Sequence, residues 1–123
     1  MSTPKMPTAV MPYNVLVGQV LQRRREALGK SQGEVAQAIG LTQSAFSRVE
    51  SGQTALTVSH LRSLSATLGT TAEKILSDAD SLAKQLQAKG VQVPNEKLVD
   101  NDNEVKAALL IGLGVLLAIL SSK

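Results

Sequence analysis

Ser31-Gln-Gly-Glu-Val-Ala-Gln-Ala-Ile-Gly-Leu-Thr-Gln-Ser-Ala-Phe-Ser-Arg-Val-Glu-Ser-Gly52 reads as two short helices joined by a tight turn. Ser31 can cap the first helix by accepting a hydrogen bond from an exposed N–H, and Glu34 stands three residues on, the spacing of a capping box. Val35, Ala36 and Ile39 fall on one apolar face. Gly40 sits where the helix must stop and a left-handed residue costs least. Leu41 plugs the turn, and Thr42 is the next N-cap. Phe46 and Val49, three apart, form the inward face of the second helix, which Gly52 ends. That spacing leaves Gln43, Ser44, Ser47 and Arg48 pointing outward.

This is the layout of a helix-turn-helix, which lays its second helix in the DNA major groove. The outward set suits that task. Gln can bond adenine in two places, Arg can bond guanine in two places, and Ser can contact bases or phosphate. Residues near the N-terminus of the second helix reach base edges most easily. A polar helix face by itself is equally the soluble surface of a helical hairpin. The complete pattern points to DNA: both caps, the turn glycine, Leu41 and the flanking helices.

On these residues the chain resembles the Cro/repressor-like (XRE-type) helix-turn-helix family, from about Val17 to Leu76. Val17-Gly18, Leu21 and Arg25 resemble the family's first helix. Ser31-Gln32, Val35-Ala36, Ile39-Gly40, Ser47-Arg48-Val49-Glu50 and Gly52 resemble its central signature. Leu61, Leu64, Leu68-Gly69 and Ile75-Leu76 resemble its fourth and fifth helices. Thr42-Gln43-Ser44 is similar to the start of the recognition helix in lambdoid phage repressors. The resemblance implies that Gln43, Ser44, Ser47 and Arg48 read bases, with Ser47 and Arg48 also reaching the adjacent backbone. It implies that Gln32 grips phosphate and that Gln53 and Thr54 touch phosphate by side chain or N–H. Glu50 matches a structural position. Arg24 and Lys30 stand where the family usually has an apolar residue, and Leu56 where it usually has Pro.

Composition narrows the function further. The chain has 123 residues, room for one domain and an extension. Cysteine is absent, so neither disulfides nor thiolate metal sites are available. The single histidine, His60, cannot build a metal cluster or a His-based catalytic constellation. There is no Gly-rich phosphate loop and no paired-carboxylate site. The expectation is therefore a protein that is not an enzyme and has no cofactor and no metal. Residues 1–70 carry seven Lys/Arg and three Glu, a net of +4, whereas residues 71–123 carry six Lys/Arg and seven Asp/Glu, a net of −1. The basic half coincides with the motif, as attraction to phosphate requires. Arg23-Arg24-Arg25 is the densest cluster. It reads either as a solvated helix face or as phosphate contact, with Arg23 the candidate.

The expected fold is all-α: a five-helix repressor-like DNA-binding domain plus a C-terminal apolar helix. Residues 1–13 hold three of the four prolines and no periodic pattern, and are expected to form a flexible or loosely docked arm without signal-peptide character. The DNA-binding domain is expected over 14–90. Its first helix runs 14–28 with Val17, Val20, Leu21 and Leu28 on one face. Thr57 caps a fourth helix, and Thr70 with Glu73 forms a capping box opening a fifth to about Lys89. Ile75, Ala79, Leu82 and Leu86 are spaced as a short a/d seam or as simple domain packing. Residues 91–103 read as a linker.

Residues 104–123 are expected to be an apolar oligomerisation helix. From Ala107 to Leu120 no side chain is polar. Such a helix must be buried on every side, and a small domain covers one face. Copies of itself or a membrane must cover the rest. Fourteen apolar residues span ~21 Å against a hydrocarbon core of ~30 Å, and the flank is acidic where a cytoplasmic flank is usually basic. Ala107, Gly114 and Ala118 form a stripe of small side chains that lets helices approach, flanked by Leu110 and Leu117. Self-association is favoured. The sequence thus implies a cytoplasmic bacterial or phage transcriptional regulator. It would bind a double-stranded DNA operator as a homo-oligomer. The alternatives are a protein-interaction adaptor on the same fold and a membrane-tethered regulator.

Overall fold

Six helices organise the residues described by the computed structural model, which are 9–95 and 103–122. They are α1 (Tyr13–Ala27), α2 (Gln32–Ala38), α3 (Gln43–Glu50), α4 (Val58–Thr67), α5 (Ala72–Ala88) and α6 (Asn103–Ser121). The fold is all-α, as expected. Side-chain caps set most of the starts. Ser31 and Glu34 form the full capping box at α2, while Thr42 and Thr57 accept from the N–H groups of Ala45 and His60 at α3 and α4. The cap of α5 is Thr71, which accepts from Lys74 N–H, rather than Thr70. The Thr70 N–H is spent on the carbonyl of Ser65, closing α4.

The core is aliphatic around one aromatic ring. Phe46 is fully buried with Leu16, Leu21, Val35, Leu64, Ile75 and Leu86. Burying side chains of this size contributes about 1.5–3 kcal/mol each. The seam residues Ile75, Ala79, Leu82 and Leu86 are all buried, with α5 packed against α1. Leu28 is 52% exposed rather than inward, because α1 ends at Ala27 and Leu28 leaves the helical register as its C-cap. Gly18 lets α1 approach α3 closely: a Cβ there would collide with the Glu50 carbonyl.

The expected arm and linker pair with each other. Ala9, Val10 and Met11 are buried, as is Val91. Met11 N–H donates to Gln92 O at 2.8 Å, Gln92 N–H to Ala9 O at 3.0 Å and Tyr13 N–H to Pro94 O at 2.9 Å, a short parallel ladder. Residues 9–12 are therefore a packed part of the domain, not a flexible arm, and 91–94 are docked, not a free linker. Residues 1–8, 96–102 and 123 lie outside the described residues, and with them the rest of the expected arm and linker.

The ladder also seats α6. Val10 N–H donates to Ala108 O at 3.0 Å, and a Cβ on Gly112 would collide with the Val10 carbonyl. Gly112 is thus the notch through which the 9–11 segment crosses the helix. Val105, Ala108, Gly112, Leu116 and Ile119, spaced three or four apart, are buried and form the docked face. At 19 residues, α6 is ~28 Å long, longer than its apolar run, and by length and composition alone it could cross a membrane.

Candidate nucleic-acid interface

The site is built on a buried ion pair. Glu50, at the end of α3, is 3% exposed. Arg25 of α1 grips its carboxylate with two parallel bonds, Nε to Oε2 at 2.7 Å and Nη2 to Oε1 at 3.0 Å. The remaining Arg25 nitrogen donates to Lys30 O at 2.8 Å. The hydrogen bond to Glu50 holds the guanidinium above its usual pKa against the opposing effect of burial. A fully bonded fork of this kind is the geometry in which a buried charge is tolerated. Glu50 has one further partner: Gln32 Nε2 donates to Oε1 at 2.8 Å. The pair therefore ties α1, the start of α2 and the end of α3 together, and it aims Gln32.

The recognition face stands on this base. Gln43, Ser44 and Arg48 are exposed and Ser47 is half-buried. None of the four side chains makes a hydrogen bond or ion pair among the described residues, so all are available to an outside partner. Buried Phe46 and Val49 fix the opposite side of the helix. The start of α3 lies beside the start of α2: a Cβ on Gly33 would be 3.6 Å from Gln43 Oε1. A DNA groove meeting Gln43 therefore meets the first turn of α2 as well.

The structure brings together Gln32, Gln43, Ser44, Ser47 and Arg48. Gln53 and Thr54 follow in the exposed turn, but their N–H groups donate to Arg48 O at 2.9 and 3.3 Å. Only their side chains remain for phosphate. Arg23 is not brought to this face. It lines a cleft between α1, α5 and α6, beside Ser81 and Leu120. Of its neighbours, Arg25 is consumed by Glu50 and Arg24 pairs with Asp78 of α5 at 2.8 Å. Lys30 donates to Thr67 O at 3.2 Å, so both charged departures from the family pattern serve the fold.

Glu50 is the residue whose part in the site exceeds the sequence reading. It sits four after Phe46, in inward register, and a carboxylate there demands a buried partner. A second cleft, of about 430 Å³, separates this face from α6, with Gln32, Ser47 and Ser51 on one wall and Leu109 and Leu113 on the other. The candidate oligomerisation residues Ala107, Leu110, Gly114, Leu117 and Ala118 all face away from the domain, exposed.

A polar, unengaged third helix set by a capped second helix and a buried Arg–Glu pair defines a helix-turn-helix DNA-binding protein. The model of the family described as "Helix-turn-helix domain" matches residues 16–76. Among solved structures the chain is similar to the clp gene regulator ClgR from Corynebacterium glutamicum. The two are 22% identical, the match covers 64% of this chain and 84% of that one, and the TM-score is 0.61. A second structure of that regulator matches at 22% identity over 58% and 92% of the respective chains, with a TM-score of 0.55. The restriction-modification controller protein C.AhdI from Aeromonas hydrophila is 31% identical over 50% of this chain and 94% of its own, with a TM-score of 0.49. No curated protein matches the chain. The chain belongs to the Cro/repressor-like (XRE-type) helix-turn-helix family of DNA-binding transcriptional regulators, which are not enzymes.

Proposed function

We propose that this regulator reads a short operator half-site with α3 in the major groove and binds as a homo-oligomer joined through α6. Gln43, Ser44 and Arg48 contact base edges, and Ser47 contacts a base or the adjacent backbone. Gln32, held by Glu50, grips phosphate from the start of α2, and the Gln53 and Thr54 side chains hold the strand beyond α3. The observation that carries the reading is the unengaged polar face of α3 beside Gln32, on a base fixed by the Arg25–Glu50 pair.

One motif sees only a few base pairs. Joining protomers lets two half-sites bind together, each raising the effective concentration of the other. The exposed face of α6, with Leu110 at 69% and Leu117 at 54% exposure, supports self-association, since a soluble chain does not leave such a face bare without a partner. Duplex-binding selections on the full chain test the DNA reading. One enriched motif, with affinity that falls steeply as salt rises, is expected. No enrichment and no salt dependence would instead support the adaptor reading. Fractionation of cells tests the cytoplasmic placement: recovery of the chain in membranes would replace self-association by membrane anchoring.

A further inference from the structure

The cleft between α1, α5 and the last turns of α6 lies apart from the recognition face. Its volume is about 380 Å³, at the small end of the range for pockets that enclose organic ligands. Two kinds of surface meet there. Val20, Ala27, Leu82 and Leu120 form an apolar wall, and Arg23 and Arg24 bring positive charge to it. Arg24 gives one Nη to Asp78, but its Nε is buried with no hydrogen-bond partner, a costly state for a guanidinium N–H. Arg23 makes no ion pair among the described residues. Asp78 is already shared by Arg24 at 2.8 Å and Lys74 at 3.2 Å, so the local charge balance stays positive.

We propose that this cleft binds a small organic carboxylate. Its charged group takes the Arg23 fork in the positive field of Arg23 and Arg24, and its apolar body lies on Val20, Leu82 and Leu120. Arginine suits the task because its planar donors match a carboxylate in pairs. Leu120 belongs to α6, so an occupant bridges α6 to α1 and braces the docked helix. The site is thereby an effector site coupled to the helix that joins protomers, at a distance from the DNA face.

Calorimetric titration of the full chain with benzoate, neutral benzamide and inorganic phosphate tests this. Benzoate is expected to bind saturably, and benzamide, the same shape without the charge, more weakly by at least roughly tenfold, the ratio equivalent to one charge-assisted hydrogen bond. Arg23→Ala is expected to weaken benzoate by a similar factor. Ala27→Leu, which fills the cleft and removes no charge, is expected to abolish binding while the melting transition stays in place. The proposal fails if benzoate does not saturate, or if benzamide or Arg23→Ala binds as the parent pair does. It also fails if phosphate binds as tightly as benzoate, because the apolar wall would then play no part.

Discussion

Glu50 carries its charge where only a fully bonded partner makes burial tolerable, and the consequences separate stability from recognition. Arg25→Met leaves the carboxylate buried and unpaired and is expected to cost about 3–5 kcal/mol in chemical denaturation. Adding Glu50→Leu removes the stranded charge and is expected to restore most of that stability. DNA affinity should stay low in the double variant, because Gln32 has lost the acceptor that aims it. Gln43→Ala is expected to leave stability unchanged, cost ~1–3 kcal/mol of binding and relax preference at one base position. A selected motif identical to the parent's would refute that assignment. At Asp78, burial pushes the carboxyl up, but hydrogen bonds and charge from Arg24 and Lys74 outweigh it and hold the group below the usual carboxylate range. A depressed folded value means the pair's contribution is present above the unfolded pKa of about 3.9 and is lost as pH falls through the folded one. Asp78→Asn should therefore flatten the acid limb of the melting-temperature profile and leave the neutral region parallel to the parent. At this scale the sequence was legible wherever one side chain acts on its own neighbours: Ser31, Thr42 and Thr57 all cap as their spacing predicts. Arg23 was not legible, because three consecutive arginines point in three directions and only packing decides which of them meets α5.

Elements were legible where the pattern is periodic. The five helices of the domain and α6 stand close to where the apolar spacing puts them, and the boundary errors at α1 and α5 are single-residue shifts, at α5 because Thr71 rather than Thr70 takes the cap. The segments read as arm and linker were not legible. Residues 9–12 and 91–94 are ordered by each other, and neither stretch carries a period of its own from which the ladder could be read. The small-residue reading of α6 was incomplete for the same reason. Its Gly114 faces outward, whereas Gly112 is the one required inside, by a backbone distant in sequence. Gly112→Val is expected to lift α6 or displace the 9–11 segment at a cost of at least about 1–3 kcal/mol. Hydrogen exchange at the Val10 amide should accelerate in parallel, and unchanged protection there would show that the notch is not needed.

At the scale of the whole molecule, α6 has a docked face and a bare one, and only the second is free for the proposed self-association. Its docked face completes the core through Val105, Ala108, Leu116 and Ile119, so deleting the helix strips the domain as well as any interface. Substitution on the outer face separates the roles. Leu110→Lys with Leu117→Lys is expected to leave the monomer's helicity unchanged and to reduce the solution mass by light scattering to that of one chain. Operator affinity should fall with it, while contacts within one half-site persist. A mass unchanged by the double substitution would refute the oligomer reading of this face. Sequence pattern showed that one face had to remain uncovered by the domain. Which face it was became visible only with the Val10 crossing.

The segment around Val10, translated well before the helix-turn-helix motif, is hydrogen-bonded to residues 92 and 108, translated well after it. At ribosomal rates of about 5–20 residues per second, the motif has time to assemble before its last partners emerge. During that interval Ala9, Val10 and Met11 have nothing to cover them, and α6 arrives with both of its faces bare. The nascent chain is therefore most prone to stick to its neighbours in the interval before α6 docks. Whether α6 finds its own Val10 before it meets another exposed chain decides between a folded domain and an aggregate.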